Sequence, residues 1–178
     1  MINNVTFKLL EYSDIPIMHR WFNMPHVQTF YSLKTWAEHE IFDKLKPYIT
    51  GKKPVTGLII FMDNKPIGYL QYYKVKDYPW PNQTLSDEVI ENAAGMDLFI
   101  GEPEMIGHGM GQTIISQCLQ TIIWPRFKYC IVDPDIQNHN AIKCYQKLKF
   151  KTYQIVETTD AMNRETQLQL MLLQKEDK

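Results

Sequence analysis

Two short segments carry the residues best suited to chemistry. Gly107-His108-Gly109-Met110-Gly111-Gln112 is a glycine-rich turn that opens an apolar helix, and Asn138-His139-Asn140-Ala141 leads to Tyr145, one helical turn past Ala141. Glycine lets the backbone approach a ligand closely, and the first amides of a helix have no intrahelical acceptor. Together with the positive end of the helix dipole, such amides form an anion site suited to a pyrophosphate. A phosphate cradle followed by a phenol that can give up a proton is the arrangement expected for acyl transfer from a carrier such as coenzyme A. The chain lacks the G-x-x-x-x-G-K-[ST] of a P-loop, and its glycine spacing is not the G-x-G-x-x-G of a dinucleotide fold.

Other residues point the same way with less force. An amine attacks a thioester only as the free base, so a carboxylate beside it can bind the ammonium and take its proton. Asp97 is the first candidate and Asp133, at the end of the Tyr129–Val132 strand, the second. Ligands gather beyond strand ends in sheets of this kind. On the residues alone, Asp97 also reads as a strand-end residue facing water, and Asp133 as an Asx turn or cap ahead of Pro134. From Asp77 to Glu104 there are seven acids and no Lys or Arg, a distribution that favours a cationic partner. Tyr78, Trp80, Phe30 and Tyr31 offer flat surfaces for sugar rings or ammonium groups, or equally for a core. Cys118, Cys130 and Cys144 show no pairing pattern and read as buried small hydrophobes, with Cys144 inert despite its place beside Tyr145. His19, His26 and His39 show no metal-ligand spacing, and no metal is expected.

The elements that must position these groups are legible from periodicity and turn residues. Strands are expected over 5–10, 55–62, 67–75, 95–100, 129–132, 150–156 and 167–173, and helices after Ser13 or Asp14, over 109–123 and over 138–148. Thr35-Trp36-Ala37-Glu38 reads as a capping box opening another helix that ends near 47–51. Asp63-Asn64-Lys65-Pro66 reads as a hairpin connection, and 77–92 as a long loop. Strands with interspersed helices imply an α/β or α+β class with a mixed sheet, in a single domain over 1–178. A net charge of −1 argues against nucleic acid or anionic membrane as partner, and no secretory leader is read at Met1-Ile2-Asn3-Asn4-Val5, so a cytoplasmic location is expected.

At these residues the chain resembles the GNAT superfamily of acetyl-coenzyme A dependent N-acetyltransferases. The family's pyrophosphate loop [QR]-x-x-G-x-[GA] corresponds to Ile106-Gly107-His108-Gly109-Met110-Gly111, and its N-x-x-A-x-x-x-Y-x-x-x-G-F element to Asn138, Ala141, Tyr145 and Phe150. Two departures stand out. Ile106 replaces the usual Gln or Arg, removing a side-chain contact to the loop, and Lys149 replaces the usual Gly before Phe150, where a different turn is expected. Within the superfamily, Gly95-Met96-Asp97-Leu98-Phe99-Ile100-Gly101-Glu102-Pro103, Val132-Asp133-Pro134, Pro66-Ile67-Gly68-Tyr69-Leu70-Gln71-Tyr72-Tyr73 and the opening from Thr6 to Tyr31 are similar to aminoglycoside 6'-N-acetyltransferases.

The resemblance implies a mixed, mostly antiparallel sheet flanked by helices and direct acetyl transfer to a primary amine, in line with a role in antibiotic resistance. It implies Asp97, Asp133 and Tyr145 as catalytic groups. It assigns acetyl-coenzyme A to Phe99, Ile100, Ile106, Gly107, His108, Gly109, Met110, Gly111, Gln112, Asn138, Ala141 and Tyr145, and the acceptor to Phe30, Tyr31, Gln71, Tyr73, Glu88, Asp97 and Asp133. The partner is then a small cationic amine bound by a monomer or homodimer. Acetylation of a siderophore-type lysine or another small amine, and a GNAT-shaped module that binds an acyl carrier without turnover, are the alternatives.

Overall fold

The computed structural model describes residues 4–176, so the first three residues of the N-terminal reading lie outside it. Seven strands form a mixed, mostly antiparallel sheet in the order β1-β2-β3-β4-β5-β7-β6. They are β1 (Val5–Leu9), β2 (Val55–Met62), β3 (Lys65–Lys74), β4 (Ala93–Ile100), β5 (Tyr129–Val132), β6 (Lys151–Thr159) and β7 (Glu165–Gln174). β4 and β5 run parallel, while β1–β2, β5–β7 and β6–β7 are antiparallel. The helices are α1 (Ile15–Phe22), α2 (Pro25–Val27), α3 (Glu38–Ile49), α4 (Asp87–Asn92), α5 (Met110–Cys118) and α6 (His139–Lys147). The chain divides into two compact units, one reaching to Tyr72 and including Leu98–Met110, the other holding Tyr73–Asp97 and everything from Gly111.

In the first unit, α1 turns Ile15, Met18, Trp21 and Phe22 inward, the helical spacing that the sequence predicts. They meet Ile41 and Leu45 of α3, Ile59, Tyr69 and Phe99 in one apolar cluster. The β2–β3 connection is tighter than expected. Asp63 and Asn64 alone form the turn, at φ 48° and 65°, and Lys65 already belongs to β3. Two successive left-handed residues match the twist of a two-residue hairpin, and Asp and Asn tolerate them. The capping box is also displaced. α3 begins at Glu38, not at Thr35, because Glu40 reaches back to accept the Ala37 amide at 2.8 Å while Lys34 holds the same carboxylate at 2.5 Å.

In the second unit, Val75, Trp80, Leu85, Ala93, Tyr129, Ile131, Val156 and Leu170 form a separate apolar cluster. The long loop expected over 77–92 is shorter than predicted, because its last third is α4. Ser86 caps that helix from Val89 N–H at 3.4 Å, and Asp87 and Glu88 favour its first turn. The helix after the glycine turn ends early, passing into a π turn over Leu119–Ile123.

Candidate active site

The second unit brings the three residues with predicted catalytic roles into one electrostatic cluster. Parallel pairing sets Ala93, Ala94 and Gly95 of β4 against Tyr129, Cys130 and Ile131 of β5. Continuing that register beyond the last pair puts Asp97 opposite Asp133. Asp97 acts on Asp133 through its charge and as a side-chain hydrogen-bond partner, and both effects favour the protonated form of Asp133. Trp80 fixes the far side of the pair, its indole Nε1–H donating to Asp133 Oδ2 at 2.7 Å. Burial first, and then the charge of Asp97, hold the Asp133 carboxyl well above the usual carboxylate range, against the pull of the Trp80 N–H.

Tyr145 lies on the buried face of α6, its ring 5.5 Å from that of Phe150. Burial pushes its phenol well above the ordinary tyrosine range. Asp97, Cys144, Asp133 and Cys130 push it further in the same direction. The phenol is therefore a neutral donor throughout the physiological range. A Schellman closure sets the position of this residue. Phe150 N–H donates to Tyr145 O at 3.1 Å and Lys149 N–H to Gln146 O at 2.9 Å, with Lys149 left-handed at φ 68°. The turn that Lys149 was expected to alter thus keeps the form a glycine would favour. At the other end of α6, Asn138 Oδ1 accepts the Ala141 amide at 3.2 Å. The Asn and Ala of that motif are the cap and third position of a helix that carries Tyr145.

Gly107 and Gly109 adopt φ 85° and 74°, a region costly to other residues, and a Cβ on either would meet nothing within 4 Å. The turn thus opens its backbone directly ahead of α5, and the leading amides of a helix have no intrahelical acceptor. Ile106, His108 and both glycines are exposed, while Met110 is buried. Gly111 answers a packing need, since a Cβ there would lie 3.3 Å from Cys144 Sγ. Gln112, like Asn138 and Ala141, is half-buried. The Phe99 ring is committed to the first cluster, edge-on to Tyr31 at 4.7 Å, and the Ile100 carbonyl accepts from His26 Nε2 at 2.9 Å.

The residues predicted to line the acceptor site are dispersed in role. Tyr73 lies so close over Gly95 that a Cβ would fall 2.4 Å from its ring. Gln71 accepts the Tyr69 hydroxyl at 3.1 Å, Phe30 is exposed, and Tyr31 packs edge-on against Phe22 and Phe99. Glu88 is not brought to the acid pair. It accepts the Tyr129 hydroxyl at 3.1 Å, at the start of β5, four residues or about 13 Å of strand from Asp133. There it borders a surface groove of about 1,040 Å³ with Trp124 and Lys128. The acid run is likewise divided, with Glu91 paired to Lys76 at 2.8 Å and Glu102 to Arg20. Trp80 is a buried residue of the core, not a free stacking surface. Its hydrogen bond to Asp133 is a contact that sequence reasoning missed, in a segment marked only by the flanking Pro79 and Pro81. Among the described residues no group of His, Cys, Asp or Glu gathers as metal ligands, and no helix is long and apolar enough to cross a membrane. Cys118 and Cys130 are fully buried, and burial pushes the Cys118 thiol up to about 12.

The description "Acetyltransferase (GNAT) domain" belongs to the family that matches residues 11–158. The aminoglycoside N(6')-acetyltransferase type 1 of Klebsiella pneumoniae is 24% identical over 169 residues, covering 89% of this chain and 79% of that protein. The same enzyme of Serratia marcescens matches equally. Among solved structures, AAC(6')-Ib in complex with paromomycin and acetyl-coenzyme A superposes with a TM-score of 0.81 at 21% identity, over 97% of this chain and 94% of that one. The aminoglycoside N(6')-acetyltransferase of Legionella pneumophila gives 0.74 at 21%, over 98% and 94%. A match along most of the chain, on a fold whose glycine turn opens α5 and whose Tyr145 helix is capped by Asn138, places this chain in the GNAT acetyltransferase family.

Proposed function

We propose that residues 1–178 act as one catalytic domain that transfers acetyl from acetyl-coenzyme A to a primary amine, with the 6'-amine of an aminoglycoside-like polycation as acceptor. The observation that carries this reading is the acid pair of Asp97 and Asp133, with the neutral phenol of Tyr145 in the same cluster. The relatives named as aminoglycoside acetyltransferases support the acceptor class. Amides of the turn from Gly107 to Gln112 would hold the pyrophosphate, with Asn138, Ala141 and the main chain of Phe99 and Ile100 along the rest of the carrier.

The pair would bind the ammonium, and Asp97 would take its proton as the amine becomes a nucleophile. The amine nitrogen then forms a bond to the acetyl carbonyl carbon. The tetrahedral intermediate collapses with cleavage of the C–S bond. Tyr145 would donate its phenolic proton to the departing sulfur and recover one from the acylated nitrogen. Sugar rings would meet Phe30, Tyr31, Gln71 and Tyr73, and antibiotic resistance in the cytoplasm is the corresponding role.

Thiol release from acetyl-coenzyme A, followed with kanamycin, ribostamycin, a lysine derivative and spermidine, tests the acceptor. Turnover with an aminoglycoside at a kcat/KM well above that for the small amines is expected. Release with none of the aminoglycosides rejects the acceptor, and release with spermidine alone moves it to the small polyamines.

A further inference from the structure

The backbone beyond Asp133 is still tied to β7. The β5–β7 ladder closes at Val132 opposite Met171, yet the same register runs on past it. Gln169 N–H donates to Pro134 O at 2.9 Å, Asp135 bridges antiparallel to Leu168, and Ile136 N–H donates to Gln167 O at 3.1 Å. Asp133 therefore sits inside an extended run, with bonds to β7 on both sides of it. That extension lacks one bond, because Pro134 has no N–H to return to Gln169. Asp135 supplies a tie in its place. Its Oδ2 accepts the Thr166 hydroxyl of β7 at 2.6 Å, and its Oδ1 accepts the Gln137 amide at 2.8 Å.

The same residue turns the chain into α6. Asp135 O accepts the Asn138 amide at 2.8 Å. Asn138 is the N-cap of α6, its side chain taking the Ala141 amide at 3.2 Å and its carbonyl the Ile142 amide at 3.1 Å. Asp135 thus fastens strand to strand on one side and starts the helix that carries Tyr145 on the other. We propose that Asp135 is a positioning residue for acetyl transfer: its carboxyl bonds to Thr166 and Gln137 fix the corner between Asp133 and α6, and so the placement of Tyr145 relative to the acid pair. Asp135 has this role only if Asp133 and Tyr145 serve the transfer proposed above.

Asp135→Ala deletes both acceptors. A displaced catalytic group slows the chemical step, so kcat should fall about tenfold. The KM for acetyl-coenzyme A, which the 107–112 turn is proposed to hold, should stay within about twofold. Asp135→Asn keeps both contacts, since its Oδ1 still accepts and its amide can donate to the Thr166 hydroxyl oxygen. Its kcat should lie within about twofold of the wild type. Thr166→Val loses only the bond across to β7 and should fall between the two, with recovery in Thr166→Ser. A wild-type kcat in Asp135→Ala overturns the positioning role. So does an Asp135→Asn as slow as Asp135→Ala, because the two bonds are then not what was lost.

Amide hydrogen exchange reads the corner without any substrate. In Asp135→Ala the amides of Gln137, Asn138, Ala141 and Ile142 should exchange about tenfold faster than in the wild type, while those of Cys130 and Ile131 in β5 keep their rates. Acceleration confined to Gln137 overturns the positioning role, since the helix start then holds without Asp135. Acceleration through the first turn of α6 in a protein that acetylates no aminoglycoside upholds the corner and rejects only the acceptor.

Discussion

Two tryptophans donate their indole N–H to a carboxyl, and the two carboxyls respond in opposite directions. In the first unit Trp21 Nε1–H donates to Glu102 Oε1 at 2.9 Å, and Arg20 grips the same carboxylate with both terminal nitrogens. Arg20, aided by the Trp21 bond, holds Glu102 below the usual carboxylate range. In the second unit Trp80 donates to Asp133, whose other neighbour is Asp97, and Asp133 is held well above that range. The donor is the same, so the surroundings decide the outcome: burial first and then the Asp97 charge raise Asp133, whereas Arg20 lowers Glu102. Glu102 stabilises the fold above the unfolded carboxylate pKa, and that stability disappears as pH falls through its lowered folded value. For Asp133 the sign reverses. The folded chain binds the proton more tightly than the unfolded one, so stability declines as pH rises from the ordinary range toward the raised value. A carboxyl held against the preference of the fold is a candidate functional group, and a satisfied one a candidate structural group.

Asp97→Asn should separate the two most sharply. It removes the proposed proton acceptor, so kcat/KM should fall roughly a hundredfold. The same change removes a like charge beside Asp133, so thermal stability at about pH 8 should hold or rise. Initial rates and unfolding midpoints on one preparation check both. A full rate would move Asp97 to the structural side with Glu102.

Glu102→Gln is the opposite experiment, with a smaller effect. The charge partner of Arg20 is lost, costing about 1–2 kcal/mol near neutral pH, since hydrogen bonds to charged groups are the stronger kind. The difference from wild type should shrink as pH falls and close only below the lowered folded value, where Glu102 is protonated in both folded and unfolded wild-type chains. Denaturant titrations across that range measure it. Turnover per folded molecule should be unchanged, and a loss of rate equal to that of Asp97→Asn would erase the distinction.

The same contrast separates what was legible in the sequence from what was not. Strand β5 and the inward face of α1 follow from periodicity, because each buries one continuous apolar set. The Asp97–Asp133 pairing depends on a parallel register between strands distant in sequence, and no local pattern encodes it. Trp80 read equally as a stacking surface or as core, because side-chain type says nothing about which way a proline-flanked loop turns. Helix α4 was hidden by its six residues, too few for a periodic signal, although Ser86 and two acids mark its start. Glu88 was placed with the acceptor residues, whereas Tyr129 holds it at the opposite end of β5.

Lys149 gives the smallest effect and tests whether the turn beneath Tyr145 is strained. Its backbone sits at φ 68° within a complete Schellman motif, where glycine carries no steric penalty. The side chain offers little in return, since its ion pair with Glu176 is 3.5 Å long and almost wholly exposed. Lys149→Gly should therefore stabilise the protein by about 0.5–1 kcal/mol, the left-handed penalty offset in part by the greater freedom of glycine in the unfolded chain. The gain should appear in chemical denaturation as a higher midpoint with an unchanged slope. Because the closure runs through the Tyr145 carbonyl and its ring contact with Phe150, the rate of acetyl transfer should stay the same if the turn already holds its glycine-like form. A stabilised variant with an altered rate would instead mean that Lys149 shifts the placement of Tyr145.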